Sequence, residues 1–444
     1  MKKILILGAG LSASTMIKYL LDKSQSNNWT ITLADADVET ANRKVNGNPA
    51  GKVVKFDIHN AALLKELVVA HDIVVSMLPA MFHPIVAKEC LAYKKHMFTA
   101  SYVSPEMKAM EPEIKAAGLF FMNECGVDPG IDHMSAMKVI DEIKHLGGKL
   151  ESFESNTGGL VAPQSDNNPW NYKFTWNARN VVLAGQAGSK FLQNGTYKYI
   201  PYQQLFKRTY TATVLDYGEF DVYANRDSLS YREVYGLNDI KTLFRGTMRR
   251  KGYCEAWNLF VQLGMTDDTY VLENSHKFTK RTFLESYLPD VKGQSTEDTF
   301  CQYLGIKRES DMFKKMEWLG MFSNEALTKE NASPAQLLQS ILEPKLKLDK
   351  EDLDMIVMQH RFLYELNGKK YEKLSSLVCI GKDNVDTAMS ITVGMPLAIA
   401  IELFVQGKVS GSGVKVPVTP DLYLPILNGL EPFGVKFIEE EKAI

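Results

Sequence analysis

A glycine-rich turn close to the first residue constrains the fold of this chain more than any other feature. The apolar run Ile4–Leu7 predicts a buried strand, a turn with the spacing GxGxxA follows it, and Ser14–Leu21 has a helical pattern. Gly8 permits the tight bend, Gly10 lets backbone approach a pyrophosphate, and the small Ala13 lets the helix pack closely on the strand. The helix then presents free N–H groups to the phosphates. The turn therefore predicts a dinucleotide-binding site.

Six short apolar runs alternate with helical patterns in the first part of the chain. The runs are Lys3–Leu7, Thr30–Leu33, Val53–Phe56, Ile73–Ser76, Met97–Ala100 and Leu119–Met122. Their hydrophobicity is continuous rather than alternating, which is typical of a parallel sheet covered on both faces. The helical segments between them have start signals, such as Asn60 before Ala61–Ala70 and the sequence Ser104-Pro105-Glu106. The pattern predicts an α/β domain of the Rossmann type over residues 1–126.

The pattern changes after Gly126. A long helix is predicted for Ile131–Leu146, and mixed strand-like stretches and polar loops follow it, which favour an α+β substrate domain over residues 127–251 and about 345–394. Residues 252–344 are rich in helical patterns and long polar connections, so we expect a helical insert there. Near the end of the chain, Pro396–Val405 predicts a helix and Gly411–Gly413 a turn.

Composition excludes several classes of protein. A length of 444 residues is too great for one hydrophobic core, and a net charge of −2 does not favour a nucleic-acid or membrane-surface partner. The five cysteines are far apart and form no CxxC pair or Cys/His cluster, so we expect neither a disulfide framework nor a metal site. No apolar stretch approaches the ~20 residues of a membrane span. We therefore expect a cytoplasmic protein.

Asp35 bears on the choice of dinucleotide. A carboxylate at the end of the second strand can accept hydrogen bonds from the hydroxyls of the adenosine ribose and would repel a 2′-phosphate. Ala36 and Asp37 supply no cation, and the next cations along the chain are Arg43 and Lys44. Asp35 therefore favours NAD, with NADP as the alternative. A purely structural role, as the cap of the next helix, is also compatible with its position.

Three polar loops follow the fourth, fifth and sixth predicted strands, where ligands of open parallel sheets bind. Asp128 could hold a substrate ammonium or take part in proton transfer, or it could cap the following helix. Ser101 and Tyr102 could contact substrate or simply pack in their loop. His83 and His133 fit packed, hydrogen-bonded structural roles better than chemistry.

Arginines are dense in the second domain. Arg226 lies in one polar cluster, and Arg245, Arg249 and Arg250 lie in another. A guanidinium suits bidentate binding of carboxylates, whereas most surface arginines are simply solvated. The two clusters are therefore candidates for binding an anionic substrate.

Several long motifs resemble one enzyme family. They are Leu78-Pro79, Thr99-Ala100-Ser101-Tyr102, Gly126-Val127-Asp128-Pro129-Gly130-Ile131-Asp132-His133, Gly158-Gly159-Leu160, Asn168-Pro169, Tyr172-Lys173-Phe174-Thr175-Trp176, Asn225-Arg226-Asp227-Ser228, Arg245-Gly246-Thr247-Met248-Arg249, Asp354-Met355-Ile356-Val357-Met358 and Thr392-Val393-Gly394-Met395-Pro396. In this order, with the turn at Gly8, they resemble the L-glutamate-forming saccharopine dehydrogenases over essentially the whole chain.

The resemblance implies a reaction and an architecture. Saccharopine would be oxidised by a dinucleotide, and hydrolysis of the imine would release glutamate and 2-aminoadipate 6-semialdehyde. Residues from about 395 to 444 would complete the Rossmann domain, and the substrate domain would also serve dimerisation in a homodimer.

The resemblance also implies which residues line each ligand. The dinucleotide would contact Leu11, Ser12, Asp35, Ala36, Asp57, Ile58, Leu78, Ala100, Val127 and Trp176. The substrate would contact Ser101, Tyr102, Asp128, Arg226, Thr247, Met248 and Arg249. Asp128 and Tyr102 are the catalytic candidates.

One departure from the family pattern and two alternatives stay open. The family commonly has Tyr-Cys where this chain has Asn156-Thr157, so any role of that thiol is absent or passes to the Thr157 hydroxyl. The likeness extends more weakly to carboxynorspermidine dehydrogenase. A dinucleotide-binding sensor without turnover is the alternative of a different class, and the density of arginines outside the cofactor domain argues against it.

Overall fold

The computed structural model describes the whole chain, Met1–Ile444, as two compact units. Unit 1 comprises Met1–Lys149 and Leu377–Ile438, and unit 2 comprises Leu150–Ser376 and Glu439–Ile444. The sixteen strands are β1 Lys2–Leu7, β2 Trp29–Asp35, β3 Gly51–Lys55, β4 Ile73–Ser76, β5 His96–Phe98, β6 Phe120–Met122, β7 Lys149–Val161, β8 Ser189–Gln193, β9 Thr196–Ile200, β10 Thr209–Thr213, β11 Glu219–Ala224, β12 Thr242–Arg250, β13 Asp354–Leu366, β14 Lys369–Ile380, β15 Gly413–Lys415 and β16 Ile438–Ala443.

Eighteen α-helices connect and cover these strands. They are α1 Ser14–Asp22, α2 Ser24–Asn27, α3 Val38–Val45, α4 Ala61–Ala70, α5 His83–Ala92, α6 Pro105–Ala109, α7 Glu111–Ala116, α8 Ile131–His145, α9 Ala178–Val182, α10 Tyr202–Leu205, α11 Tyr231–Val234, α12 Tyr253–Leu263, α13 Lys280–Glu285, α14 Thr296–Leu304, α15 Asp311–Trp318, α16 Pro334–Leu346, α17 Ala388–Val405 and α18 Pro420–Leu430.

Unit 1 is built on a seven-stranded sheet in the order β15-β6-β5-β4-β1-β2-β3. Every neighbouring pair in it is parallel. The four residues of β4 and the last four of β1 are fully buried, as expected for strands covered on both faces. The predicted Rossmann fold and its six predicted strands are confirmed.

The C-terminal part of unit 1 differs from the sequence prediction in two places. The helix predicted to begin at Pro396 begins eight residues earlier, at Ala388, because the Thr387 hydroxyl accepts a hydrogen bond from the Ser390 backbone N–H at 2.9 Å. Pro396 therefore lies inside α17 rather than at its first turn. The predicted turn at Gly411–Gly413 runs into a seventh strand, β15, which pairs with β6.

Helix α17 is long and apolar enough to cross a membrane by length and composition, which the sequence pattern does not predict. Most of it is buried in unit 1, where it packs on α1 and α18. The hydroxyl of Ser390 accepts hydrogen bonds from the backbone N–H and the hydroxyl of Thr15, both at 2.8 Å. These contacts fix the C-terminal segment to the first helix of the chain.

Unit 2 is built on a nine-stranded sheet. Seven strands follow the order β10-β11-β12-β7-β13-β14-β16, and the hairpin β8–β9 joins at β12. The five helices α12–α16 lie essentially in the segment predicted as a helical insert. They belong to the same compact unit as the sheet and do not form a third unit.

The boundaries between units also differ from the predicted ones. The sequence pattern places helix α8 in the substrate domain, yet it belongs to unit 1, where the Tyr423 hydroxyl of α18 donates to Asp141 on α8 at 2.8 Å. The last six residues are predicted to lie in the Rossmann domain, yet they belong to unit 2, where β16 pairs with β14. In both cases the segment is placed by contacts with residues that are distant in sequence, and local sequence patterns do not reveal such contacts.

Candidate active site

The glycine turn has the geometry that a phosphate-binding loop requires. Gly8 has φ +104°, and a Cβ there would lie 2.9 Å from the Met77 carbonyl oxygen, so no other residue fits. Gly10 has φ −63° and nothing within 4 Å of its Cβ position, which leaves that side of the backbone open to a ligand. Leu11 is 70% exposed beside it, Ser12 is half-buried, and Ala13 is buried under the helix.

Asp35 holds the turn in place. Its carboxylate accepts hydrogen bonds from the backbone N–H groups of Ala9, at 2.5 Å, and Asp37, at 2.8 Å. It does not cap α3, because Asp37 performs that role by accepting from the Thr40 backbone N–H at 3.0 Å. Both oxygens of Asp35 are thus engaged with backbone at the junction of β2 and the turn.

The two cations of α3 lie close to this junction. The Lys44 ammonium donates to the Gly10 carbonyl oxygen at 2.6 Å and to the Ser14 hydroxyl at 2.7 Å. Burial lowers the pKa of Lys44 to about 8, although the charge of Asp35 opposes the shift. Arg43 is exposed and donates to the Thr40 hydroxyl at 2.6 Å. From the sequence, Arg43 and Lys44 are only the next cations after Asp35. In the structure, Lys44 contacts the glycine turn itself.

The other dinucleotide candidates fall in both units. Those in unit 1 follow the carboxyl ends of β2 to β6: Ala36, Asp57, Ile58, Leu78, Ala100 and Val127. Parallel strands bring these ends to one edge of the sheet, together with the glycine turn. Trp176 belongs to unit 2 and is 38% exposed.

Tyr102 and Asp128 meet at the carboxyl edge of β5 and β6. The Tyr102 hydroxyl donates to Asp128 Oδ1 at 3.1 Å. Tyr102 is 39% exposed and Asp128 is half-buried, so the pair is open to a ligand. The two residues proposed from sequence as catalytic are therefore in direct contact.

Glu124 fixes the loop that carries this pair. Its carboxylate accepts from the Val103 backbone N–H at 2.9 Å and lies 2.7 Å from His133 Nε2, while its own N–H donates to the Ser101 carbonyl oxygen at 3.0 Å. Glu124 is buried and has φ +53°, an uncommon conformation for a residue with a side chain. Sequence reasoning missed Glu124. The one sequence signal is an acidic residue two positions after the fully apolar strand β6.

Arg249 is the centre of the candidate substrate group in unit 2. It is 4% exposed, and the ring centroids of Tyr172, Tyr253 and Tyr223 lie 5.3, 5.5 and 6.0 Å from its guanidinium carbon. One terminal nitrogen donates to the Met248 carbonyl oxygen at 2.9 Å, whereas its Nε and the Tyr172 hydroxyl have no hydrogen-bond partner in the protein. Because a buried charge needs an ionic or polar partner, this arrangement is suited to an anionic ligand.

Two threonines share the face of the sheet that carries Arg249. Thr247 lies two positions before Arg249 on β12, and Thr157 pairs with Thr247 across the neighbouring strand β7. The Thr157 hydroxyl is buried and also has no hydrogen-bond partner in the protein. The residue that departs from the family pattern therefore faces the same region as the buried cation.

Two other substrate candidates are placed differently. The Met248 side chain is fully buried and, as the neighbour of Arg249 in a strand, points to the opposite face, so only its backbone reaches the Arg249 group. Arg226 is exposed and has φ +43°. Burial raises the pKa of Tyr223, and the charges of Arg249 and Arg226 oppose that rise, so Arg226 acts on the same tyrosine.

Comparison with known proteins gives one consistent result. A model described as the saccharopine dehydrogenase NADP binding domain matches residues 4–122, and a model described as the saccharopine dehydrogenase C-terminal domain matches residues 126–435. The NADP(+), L-glutamate-forming saccharopine dehydrogenase of Schizosaccharomyces pombe is 33% identical over 449 residues, which cover 99% of each chain.

Two further relatives agree. The mitochondrial alpha-aminoadipic semialdehyde synthase of Mus musculus is 34% identical over 460 residues, covering 98% of this chain and 47% of that protein. The structure of apo histidine-tagged saccharopine dehydrogenase (L-Glu forming) from Saccharomyces cerevisiae matches with a TM-score of 0.90 at 31% identity, over 100% of both chains.

The expected preference for NAD is not supported by these comparisons. The matching N-terminal model is an NADP-binding one, and the fission-yeast relative is named for NADP(+). The expectation rests on Asp35 being available to a ribose, whereas its carboxylate is engaged with the Ala9 and Asp37 backbone.

The two glycines of the turn give a matched test of dinucleotide binding. We expect Gly10→Ala to leave thermal stability nearly unchanged, because its Cβ meets nothing, and to weaken dinucleotide binding about tenfold or more, because the methyl group occupies the ligand's approach. Gly8→Ala should lower the unfolding temperature through strain and the clash with Met77. Fluorescence titration with reduced dinucleotide and thermal unfolding measure both effects. Normal binding by a stable Gly10→Ala protein would remove the turn from the binding site.

Proposed function

This chain belongs to the saccharopine dehydrogenase family, and on that basis we propose that it oxidises L-saccharopine to L-glutamate and 2-aminoadipate 6-semialdehyde, or runs the reverse condensation, in lysine metabolism. It is an oxidoreductase that acts on a CH–NH bond. The observation that carries the proposal is full-length similarity to enzymes of this activity, joined to a buried guanidinium, Arg249, that lacks an acidic partner in its own unit.

The chemistry of the substrate matches the side chains in unit 2. Saccharopine carries three carboxylates, so a pocket for it needs cations that water does not fully screen. Arg249 keeps its charge at any working pH. A carboxylate can accept hydrogen bonds from the unbonded Nε of Arg249 and from the Tyr172 hydroxyl. The three tyrosine rings fix the guanidinium plane before the substrate arrives, which lowers the entropic cost of binding.

The side chains of unit 1 suit the reacting end. The secondary amine must lose a proton before hydride leaves the adjacent carbon, and a dinucleotide held at the glycine turn would supply the hydride acceptor. Asp128 supplies a negative charge that holds the amine end, and Tyr102 orients that carboxylate through their hydrogen bond. Water then adds to the imine and releases glutamate and the semialdehyde.

We propose NADP as the cofactor, held at its 2′-phosphate by the cations of α3. Lys44 already lies on the glycine turn through Gly10 and Ser14, and Arg43 is on the adjacent exposed face of the same helix. Together they can offset the repulsion between a 2′-phosphate and Asp35. NAD is the alternative cofactor.

We also propose that the protein is a homodimer and that it is cytoplasmic. The family resemblance supports the homodimer. The five free cysteines, four of them buried, suit a reducing compartment such as the cytoplasm.

The reaction is tested with purified protein, L-saccharopine and NADP or NAD at mildly alkaline pH, where more of the secondary amine is neutral. We expect reduced cofactor to form in proportion to released glutamate. Carboxynorspermidine is the control substrate. Turnover of carboxynorspermidine without turnover of saccharopine would identify the chain as a carboxynorspermidine dehydrogenase. No turnover with either compound would favour a dinucleotide-binding sensor.

Arg249 and Arg245 form a matched pair for the carboxylate site. Both are buried on one face of β12 and stack on tyrosine rings, Arg245 on Tyr231 with a carbon-to-centroid distance of 4.1 Å. Loss of a charge-assisted contact costs ~1.5–3 kcal/mol, so Arg249→Met should raise the saccharopine KM roughly ten- to a hundredfold and leave the dinucleotide KM unchanged. Arg245→Met should alter thermal stability more than KM. Equal KM values in wild type and the Arg249 variant would make this arginine structural.

The cofactor proposal predicts a pH dependence. The pKa of Lys44 is about 8, so its charge is present at pH 7 and is lost as the pH rises above 8. The affinity for NADP should therefore fall, by up to about tenfold for each pH unit above 8, while the affinity for NAD stays flat. In Arg43→Ala/Lys44→Met the NADP affinity should be low at every pH, and the NAD affinity serves as the internal control. A flat NADP profile in the wild-type protein would exclude Lys44 from the phosphate site.

A further inference from the structure

A chain of three side chains connects the carboxyl ends of β4 and β5 in unit 1. The Ser76 hydroxyl lies 2.8 Å from His83 Nδ1, and His83 Nε2 lies 2.7 Å from the Ser101 hydroxyl. Ser76 is fully buried and His83 is 4% exposed, whereas Ser101 is half-buried. The chain therefore runs from the core of the unit to the loop that carries Tyr102.

Each member is placed by the fold. Ser76 is the last residue of β4, His83 is the first residue of α5, and Ser101 follows β5. The backbone on both sides of the Ser101 side chain is fixed, because its N–H donates to the Thr99 hydroxyl at 3.3 Å and its carbonyl accepts from the Glu124 N–H at 3.0 Å. What the backbone leaves free is the rotation of the Ser101 hydroxyl.

The rotation of the Ser101 hydroxyl therefore depends on which nitrogen of the His83 imidazole carries the hydrogen. Burial lowers the pKa of His83 to about 4, so the ring is neutral near pH 7 and has one N–H donor and one acceptor nitrogen. The two serines must consequently have opposite roles. The hydrogen of the buried Ser76 hydroxyl has one acceptor within reach, His83 Nδ1. Ser76 therefore donates to Nδ1, and the N–H is on Nε2. Its nearer partner is the Ser101 hydroxyl at 2.7 Å, while the Thr99 hydroxyl lies at 3.4 Å.

We propose that His83 is a positioning residue which, oriented by Ser76, occupies the acceptor side of the Ser101 hydroxyl and directs its hydrogen to a carboxylate oxygen of the bound amino-acid substrate. The inference rests on the proposed function for the identity of that substrate. Ser101 then acts as a neutral donor of fixed direction, adjacent to Tyr102 and its bond to Asp128. Neither His83 nor Ser76 takes up a proton in the reaction.

The alternative is that His83 only fills space and satisfies hydrogen bonds, and His71 provides the matched control. His71 is also buried in unit 1, with Nδ1 2.6 Å from the Leu67 carbonyl oxygen and Nε2 2.8 Å from the Thr32 hydroxyl. It precedes β4, so it lies at the opposite end of that strand from Ser76.

Steady-state kinetics separate the two roles. With saccharopine and NADP, Ser76→Ala and His83→Phe should each raise the saccharopine KM at least about fivefold and leave the dinucleotide KM within about twofold, whereas His71→Phe should change the unfolding temperature and neither KM. Ser76 is two side chains away from the substrate loop, so an effect of Ser76→Ala on KM must pass through His83. Unchanged saccharopine KM in both folded variants overturns the proposal.

A spectroscopic measurement keeps the inference testable without turnover. In wild-type protein labelled with ¹⁵N-histidine, the His83 signals, assigned by their loss in His83→Phe, should be those of the neutral ring with the hydrogen on Nε2, unchanged from pH 8 to pH 6. Ser76→Ala should introduce the other neutral form. A charged ring, or the hydrogen on Nδ1 in the wild-type protein, overturns the inference even if saccharopine is oxidised. An inactive wild-type protein with the expected His83 signals would instead refute the proposed function.

Discussion

The close contact between the glycine turn and the strands on either side of β1 is the constraint on which unit 1 depends. Gly8 N–H donates to the Ala34 carbonyl oxygen of β2 at 2.9 Å, and a side chain at Gly8 would meet the Met77 backbone directly after β4. Because the turn cannot move away from these strands, α1 begins in a fixed direction. Helix α17 then packs on the same turn, with a Cβ position at Gly394 only 3.0 Å from the Ser12 carbonyl oxygen. The far end of the chain thus completes a fold that its first residues begin.

Buried charge is used differently in the two units. In unit 1 the Glu124 carboxylate is satisfied by the Val103 N–H and by His133, and its charge serves to fix a loop. In unit 2 Arg249 is surrounded by aromatic rings and retains an unbonded donor. A charge left in that state destabilises the protein without ligand and is stabilised when an anion binds. The first arrangement is typical of a scaffold, and the second is the one expected of an anion-binding site.

Continuous local patterns are the part of the fold that can be predicted from the sequence. Six strands of the Rossmann sheet are predicted correctly because each is a short, mostly apolar run. Tyr102 and Asp128 follow such runs and are in contact, and their catalytic role stays a prediction. The start of α17 is missed because Pro396 is a typical first-turn residue, while the real signal, Thr387, lies upstream. The strand β15 is missed because three residues are too few to show a periodic pattern of hydrophobicity. The NAD expectation is not supported by the comparisons, and it rests on the position of Asp35 without the backbone groups that occupy its oxygens.

This chain has Asn156-Thr157 where the family resemblance implies Tyr-Cys, and this difference limits which groups can accept the substrate proton. A threonine hydroxyl does not ionise at any working pH, so Thr157, although buried beside Thr247 with an unused hydrogen bond, can donate or accept only as a neutral group. Burial raises the pKa of the Cys125 and Cys254 thiols, so neither is expected to act as a base. His83 is neutral and held between two serines. Asp128 differs from all of these groups, because it carries a carboxylate, is half-buried rather than enclosed and lies at the carboxyl edge of the sheet. Asp128, or water beside it, is therefore our proposed acceptor for the proton of the secondary amine.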